Sequence, residues 1–428
     1  MRPTMSFPAT IVRAACLILI ALLLVTAAGC GGGDGDTDGA VEVSWSSPGR
    51  DAEVFGVARL RVEASSQEEI SEVSFYCDTV DDAHRIGTVT DNVGSLYTQT
   101  WYTTEVANGE HTLHAVARDG QDRSEQASRT VTVGNISRAE ALAEAVTWEK
   151  RTPQNDVHVL ALSPAFSSIF YDPVPMEAPI LSAGAEDSPF ITPDGSTFYL
   201  FFTPDMNIPV TEQILDRVTG IYCSQKVGGA WTEPQRVWLN YCDDPSMDGA
   251  EAILGDTMWF ASVRRGVKRE IDLFSAELVD GRWTNWANLG EPLNVEYEVG
   301  ELHISADGSQ VFFHSKRAGG KGGMDIWVTS KVNGRWQTPQ NVEAVNTQYD
   351  EGYPFLSEDG NELWFNRNYG VYRSLRVNGQ WQAPELVVSP LAGEPTMDRA
   401  GNLYFVHHYY DDAADKIWEA DIYVCRRR

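Results

Sequence analysis

Basic residues are scarce. The chain carries 33 Lys and Arg against 61 Asp and Glu, a net charge of −28. A surface of that sign repels phosphate backbones, which argues against nucleic acid as a partner. Long apolar runs are also missing. The longest, Ala14–Ala28, has 15 residues, too short for a comfortable membrane span. The sequence contains no CxxC and no local His/Cys cluster, so a zinc site is not expected. No G-x-S-x-G, P-loop or nucleotide-binding fingerprint occurs in a supporting context. What remains is a chain able to bury a core, with 43% hydrophobic and 22% charged residues in 428. Its 13 Trp and 36 Gly, with 11% aromatics, point to β structure rich in turns, in two domains or more.

The first 39 residues read as an address and a tether. Arg2 and Arg13 precede the apolar run, and Ala27-Ala28-Gly29-Cys30 follows it. This pattern resembles the lipobox of bacterial lipoprotein signal peptides. The resemblance implies cleavage of residues 1–29 and lipidation of Cys30, and Gly31 after it favours the outer membrane. Residues 30–39 include Asp34, Asp36, Asp38 and Gly39, which copy the opening of a calcium loop. The twelfth position is Trp45 rather than Glu, so a flexible tether is expected. Beyond Cys16 and Cys30, the cysteines Cys77, Cys223, Cys242 and Cys425 permit three complete pairings, between which the sequence does not choose.

Residues 40–134 show seven short alternating runs separated by turns such as Asn108-Gly109 and Asp119-Gly120, the pattern of a β-sandwich. The segments VSFYCD (73–78) and NGEHTLHAVARDG (108–120) resemble the Ig-like modules of secreted bacterial proteins, which are mostly spacers or adhesive units. Cys77 has no partner within this domain, so a buried free thiol is expected. Ser137 before Glu140 matches a capping box, predicting a short helix over 135–146 that links the domains.

Residues 147–428 contain a repeat. Trp231, Trp283, Trp336 and Trp381 recur at equivalent places, each after a strand-like run and an Asn-Gly, Asp-Gly or Gly-Gly turn. A shortened fifth copy, DIYVC, occupies 421–425. The unit predicts a four-stranded antiparallel blade, and the whole an all-β chain: an Ig-like sandwich followed by a five-bladed β-propeller. The residues EYEVGELHISADGSQVFFHSKRAGGKGGMDIWVTSKVNGRWQTPQNVEAVNTQYDEGYPFLSEDG (296–360) are similar to TolB-type, WD-like propeller repeats of bacterial envelope proteins. Because the last copy stops after its third strand, TWEKRTPQNDV (147–157), which is similar to WQTPQNV, is expected to supply the closing outer strand. The repeated tryptophans are expected to pack between blades rather than to form a carbohydrate platform.

Carboxylates mark the first strand of every copy: Glu186 and Asp187, Asp248 and Glu251, Glu298 and Glu301, Asp350 and Glu351, and Glu394. Two readings follow. The acids can pair within the blades with Arg264, Arg265, Lys316, Arg317 and Arg367, which follow the second strands; Asp272, Asp325 and Asp421 recur structurally at the start of the third. Alternatively, Asp187, Asp248, Glu251, Glu301, Glu351 and Glu394 converge on a channel mouth that binds a cationic group, a Ca²⁺ ion or a sugar. No other metal or cofactor is expected. Five-bladed glycosidases of the arabinanase type place carboxylates on three successive blades, and Asp187, Asp248 or Glu251, and Glu301 map onto that arrangement by position. His303 and His314 lie nearby but read as packed or surface residues. The expectation is an exported, lipid-anchored envelope protein that binds a protein or glycan partner without catalysis. The alternatives are a glycoside hydrolase or lyase at the acidic funnel, and a purely structural module.

Overall fold

The computed structural model describes residues 40–145, 152–268 and 270–428. The signal segment, Cys30 and the tether therefore lie outside the described residues. The described residues divide into two compact units, one of 40–136 with 240–245, the other of the described residues of 137–239 and 246–428.

The first unit is an Ig-like sandwich. One sheet holds Glu42–Ser47, Val57–Ser65 and Leu96–Tyr102. The other orders Ala52–Val54, Ser124–Val133, Gly109–Asp119, Ile70–Cys77 and Arg85–Val89. Alternation along the strands sends Leu60, Val62, Val73, Phe75, Leu113, Ala115 and Ala117 into the core. The strand that the sequence concealed is Ala52–Val54, only three residues long and parallel to Ser124–Val133.

A helix, Arg138–Ala145, opens the second unit. Ser137 and Glu140 form the reciprocal cap: Ser137 N donates to Glu140 Oε2 at 2.8 Å and Glu140 N to Ser137 Oγ at 3.2 Å. Five antiparallel sheets follow in chain order, with first strands Ala185–Ile191, Met247–Leu254, Val299–Ile304, Glu351–Leu356 and Ala392–Met397. Each first strand touches the next, and the last touches the first, so the sheets stand as blades around an axis. Trp283 is buried, while Trp231, Trp336 and Trp381 pack against the blade cores beneath Lys226, Lys331 and Arg376.

The ring is closed from the N-terminal side, and among the described residues the outer place falls to Val174–Pro175 and not to 152–157. Val174–Pro175 pairs with the last strand, Lys416–Cys425, through Val174 and Val424. Residues 147–151 lie outside the described residues, and 152–157 form turns. A second short strand, Ala161–Leu162, extends the fourth sheet. The outer strands Gln235–Arg236 and Gln340–Asn341 are also only two residues long, so a sequence likeness among outer strands discriminates poorly. Phe166 and Phe170 from this closing segment are fully buried, and Phe170 stands edge-on to Trp364 at 6.4 Å.

Candidate functional site

A β-bulge interrupts every first strand, and it separates two kinds of acid. The register slips between Asp187 and Phe190, Gly249 and Ala252, Gly300 and Leu302, Gly352 and Phe355, and Gly393 and Thr396. In four blades a non-glycine residue takes a left-handed conformation there: Ser188, Ala250, Tyr353 and Glu394. Bulges of this kind turn side chains out of the pleat. Glycine precedes the bulge in four blades because space is short. A Cβ on Gly300 would lie 2.3 Å from His314 Nε2, and one on Gly352 2.8 Å from His314 Nδ1.

Apart from Asp187, the acids before the bulge are clamped. Arg264 Nη2 donates to Asp248 Oδ1 at 2.5 Å, with Ser246 and Ser262 completing the carboxylate's bonds. Arg367 Nε donates to Glu351 Oε1 at 2.6 Å, where Thr347 also bonds. Glu186 is held by Arg138 at 2.6 Å and by Ser182. Glu298 pairs with Lys316 at 2.7 Å, and Asp350 accepts from Met324 N at 2.7 Å. The third blade has Val299 at the clamped position, and there Arg317 donates to the carbonyls of Pro292 and Leu293 instead. Asp272 and Asp325 accept backbone N–H groups of Lys268 and Lys321, and Asp421 accepts from the Tyr409 hydroxyl. Asp248 and Glu351, grouped with the ligand-facing acids by position alone, thus stand in ion pairs away from the cluster.

Acids at and around the bulge converge. Glu251, Glu301 and Glu394 line one recess with Phe190, His303, Tyr353 and Phe355, and its empty volume, including space open to solvent, is about 370 Å³. Asp187 adjoins Glu394 and His408; one donor atom from each of the three lies within 4.8 Å of the others. Glu251 is 5% exposed, and neither of its carboxylate oxygens has a hydrogen-bond partner. Burial pushes Glu251 up to about 8. Burial, then the charges of Asp187 and Glu251, holds Glu301 well above the usual carboxylate range. Burial, then Asp187 and Glu301, does the same to Glu394, which donates to Asp187 when protonated. Asp187 is 22% exposed; burial opposes its ionisation, but His408 and neighbouring hydrogen bonds outweigh that and lower it.

The histidines divide as well. His303 accepts from Leu356 N at 3.2 Å and packs against Phe355, and burial lowers it to about 3. His314 accepts from Tyr353 N at 3.1 Å and supports that bulge; burial, then Lys316, lowers it to about 3. His408, which the sequence reading passed over, sits on Leu403–Asp411, the longest second strand, and is 8% exposed. Nothing local in VHHYYDD marks it; its role depends on the strand running past the length of its counterparts.

All four described cysteines are free. Cys77 is buried as expected, but it belongs to a cluster invisible to local spacing. In the sandwich unit, His111 Nδ1 lies 2.8 Å from Asp78 Oδ2 and 3.6 Å from Cys77 Sγ. Burial, then Asp78, pushes the Cys77 thiol up to about 12. Thiol and carboxylate meet the same ring nitrogen, and His111 Nε2 lies 2.8 Å from the carbonyl of Ala107, so this is no nucleophile–base–orienter relay.

Residues 42–115 match the bacterial Ig domain family. No curated protein matches the chain. Among solved structures, an endo-beta-1,4-mannanase from Thermotoga petrophila is 17% identical over 24% of this chain and 22% of its own, with a TM-score of 0.20. The putative TolB from Agrobacterium tumefaciens is 13% identical, with 83% of this chain and 98% of that one covered and a TM-score of 0.32. A mutant of Trypanosoma rangeli sialidase displaying trans-sialidase activity is 11% identical over 62% and 58%, with a TM-score of 0.33. The propeller architecture rests on the strand pairing above, and these likenesses add no functional argument.

Proposed function

We propose that this is an exported envelope protein whose propeller recess binds a hydroxyl-rich or amine-bearing group of a glycan or protein partner without turning it over. One observation carries the reading: Glu251, buried at the recess wall, has no partner for either carboxylate oxygen. A native protein rarely leaves such a group unmet, and a ligand donating hydrogen bonds or positive charge satisfies it. The bacterial Ig domain at 42–115 accords with an extracellular or envelope location. Among the described residues no helix is long and apolar enough to cross a membrane. A lipid on Cys30 would then hold the protein at the outer membrane, with the sandwich as spacer. The test is titration calorimetry of the full chain against a glycan panel and envelope extracts. Binding that disappears in Glu251→Gln, with the titrant recovered intact, supports the reading; binding equal in both proteins, or none to either, overturns it.

A second reading has its own observation. Asp187, Glu251 and Glu301 come from three successive blades; Glu251 and Glu301 line the recess, and the charge of Asp187 acts on Glu301. A buried acid still protonated at neutral pH is what a glycosidase needs as its proton donor, and Glu251 at about 8 meets that requirement. Release of reducing sugar from any panel member, lost in Glu251→Gln, would replace binding by hydrolysis.

A further inference from the structure

We propose that Asp187, Glu394 and His408 hold a divalent transition-metal ion of the zinc class beside the recess that Glu394 also lines, with one coordination position left for a ligand. The inference deepens the reading of the recess as a binding site, but the ion is measurable without any partner. The three donors arrive from separate places: the first strand of the first blade, the first strand of the last blade, and the second strand of that blade. Their donor atoms lie within 4.8 Å of one another.

The spacing of His408 from Asp187 suits a shared ion better than a direct hydrogen bond. His408 Nε2 stands 3.8 Å from Asp187 Oδ2, beyond hydrogen-bond reach. Two donors each about 2.1 Å from a tetrahedral ion stand roughly 3.4 Å apart, so a small contraction completes the site. Two of the three side chains are buried: Glu394 and His408 are each 8% exposed, and Glu394 Oε2 has no hydrogen-bond partner. The backbone is turned toward this arrangement: Glu394 takes φ +52° and Ser188 φ +43°, conformations rare outside glycine.

The donor set narrows the metal. Two carboxylates balance a dication, and an imidazole nitrogen selects zinc and its neighbours over Ca²⁺ or Mg²⁺, which prefer oxygen throughout. Three protein donors leave a tetrahedral ion one vacant position, as in sites that take water or a ligand oxygen. Glu301 and Glu251 stand further round the wall, where they can accept hydrogen bonds from the same ligand.

The experiment uses the full chain carrying Cys77→Ser, which disables the separate Cys77–Asp78–His111 cluster, after treatment with a chelator. Zn²⁺ is titrated by calorimetry, with Ca²⁺ as competitor. The expected result is one equivalent of Zn²⁺, no displacement by Ca²⁺, and at least a tenfold weaker affinity in both Glu394→Gln and His408→Ala. No Zn²⁺ uptake, uptake unchanged in both variants, or displacement by equal Ca²⁺ overturns the proposal. Each variant's melting curve is recorded, and if one fails to fold the other decides. Retained glycan binding without metal overturns this inference alone, whereas metal uptake with no partner on any panel overturns the binding reading alone.

Discussion

Asp248 and Glu251 share one strand and meet opposite fates. Asp248 is locked to Arg264 at 2.5 Å, while Glu251, beyond the bulge, is equally buried and bonded by neither oxygen. The bulge between them directs one acid to the fold and the other to the recess.

Removing the clamp therefore harms folding. Arg264→Ala leaves the Asp248 carboxylate buried and deprived of its cation, which costs ~3–5 kcal/mol when a buried pair is broken from one side. Urea unfolding followed by tryptophan fluorescence measures it. Glu251→Gln, which replaces a buried acid that has no partner to lose, is expected to leave stability unchanged or higher.

Glu251 also sets a pH dependence. Its pKa rises on folding from its ordinary 4.5 to about 8, so between those values the folded state binds more protons than the unfolded one. Its contribution is fully present below about 4.5 and is lost as pH rises through about 8. Unfolding free energies across that window should fall more steeply for the native chain than for Glu251→Gln. Glu301 faces it and is raised in the same direction, so a residual slope survives the substitution. Equal slopes would show that Glu251 ionises freely in the fold.

The closing segment holds the ring through packing as much as through strand pairing. Phe170 is fully buried, so Phe170→Ala should cost ~3–5 kcal/mol in the same unfolding experiment. A change below ~1 kcal/mol would mean that residues 160–176 are dispensable for closure.

Gly300→Ala tests the crowding at the third bulge. The new methyl would meet the ring of His314 at 2.3 Å, and that ring is held in place by Tyr353 N. Overpacking of this kind costs ~1–3 kcal/mol. In the double variant with His314→Ala the penalty of Gly300→Ala should shrink, since the ring it strikes is gone. Simple additivity of the two changes would contradict the contact.

The blades were legible because their signals are local. Asn-Gly and Asp-Gly turns and a tryptophan at a fixed offset recur whatever the neighbours do. The closing strand was not, because two residues of backbone pairing at Val174–Pro175 leave no pattern to find. The acids were legible as a class, yet their division was hidden. Position on the strand groups Asp248 with Glu251, and only the bulge, a backbone event at Ala250, separates them. His408 and the Cys77–His111 cluster needed strands distant in sequence to be brought side by side, which no spacing rule captures.

The bulge has a consequence for how this recess can change. A clamped acid and its arginine support three of the blades from one side of the slip, while the side chains at and beyond it, Ser188 and Pro189, Ala250 and Glu251, Tyr353 and Pro354, Glu394 and Pro395, face the opening. Recognition and folding are thus assigned to different residues of one short strand. The recess is in effect a set of exchangeable teeth in a fixed mount, in which chemistry can be rewritten blade by blade while the ring stays closed.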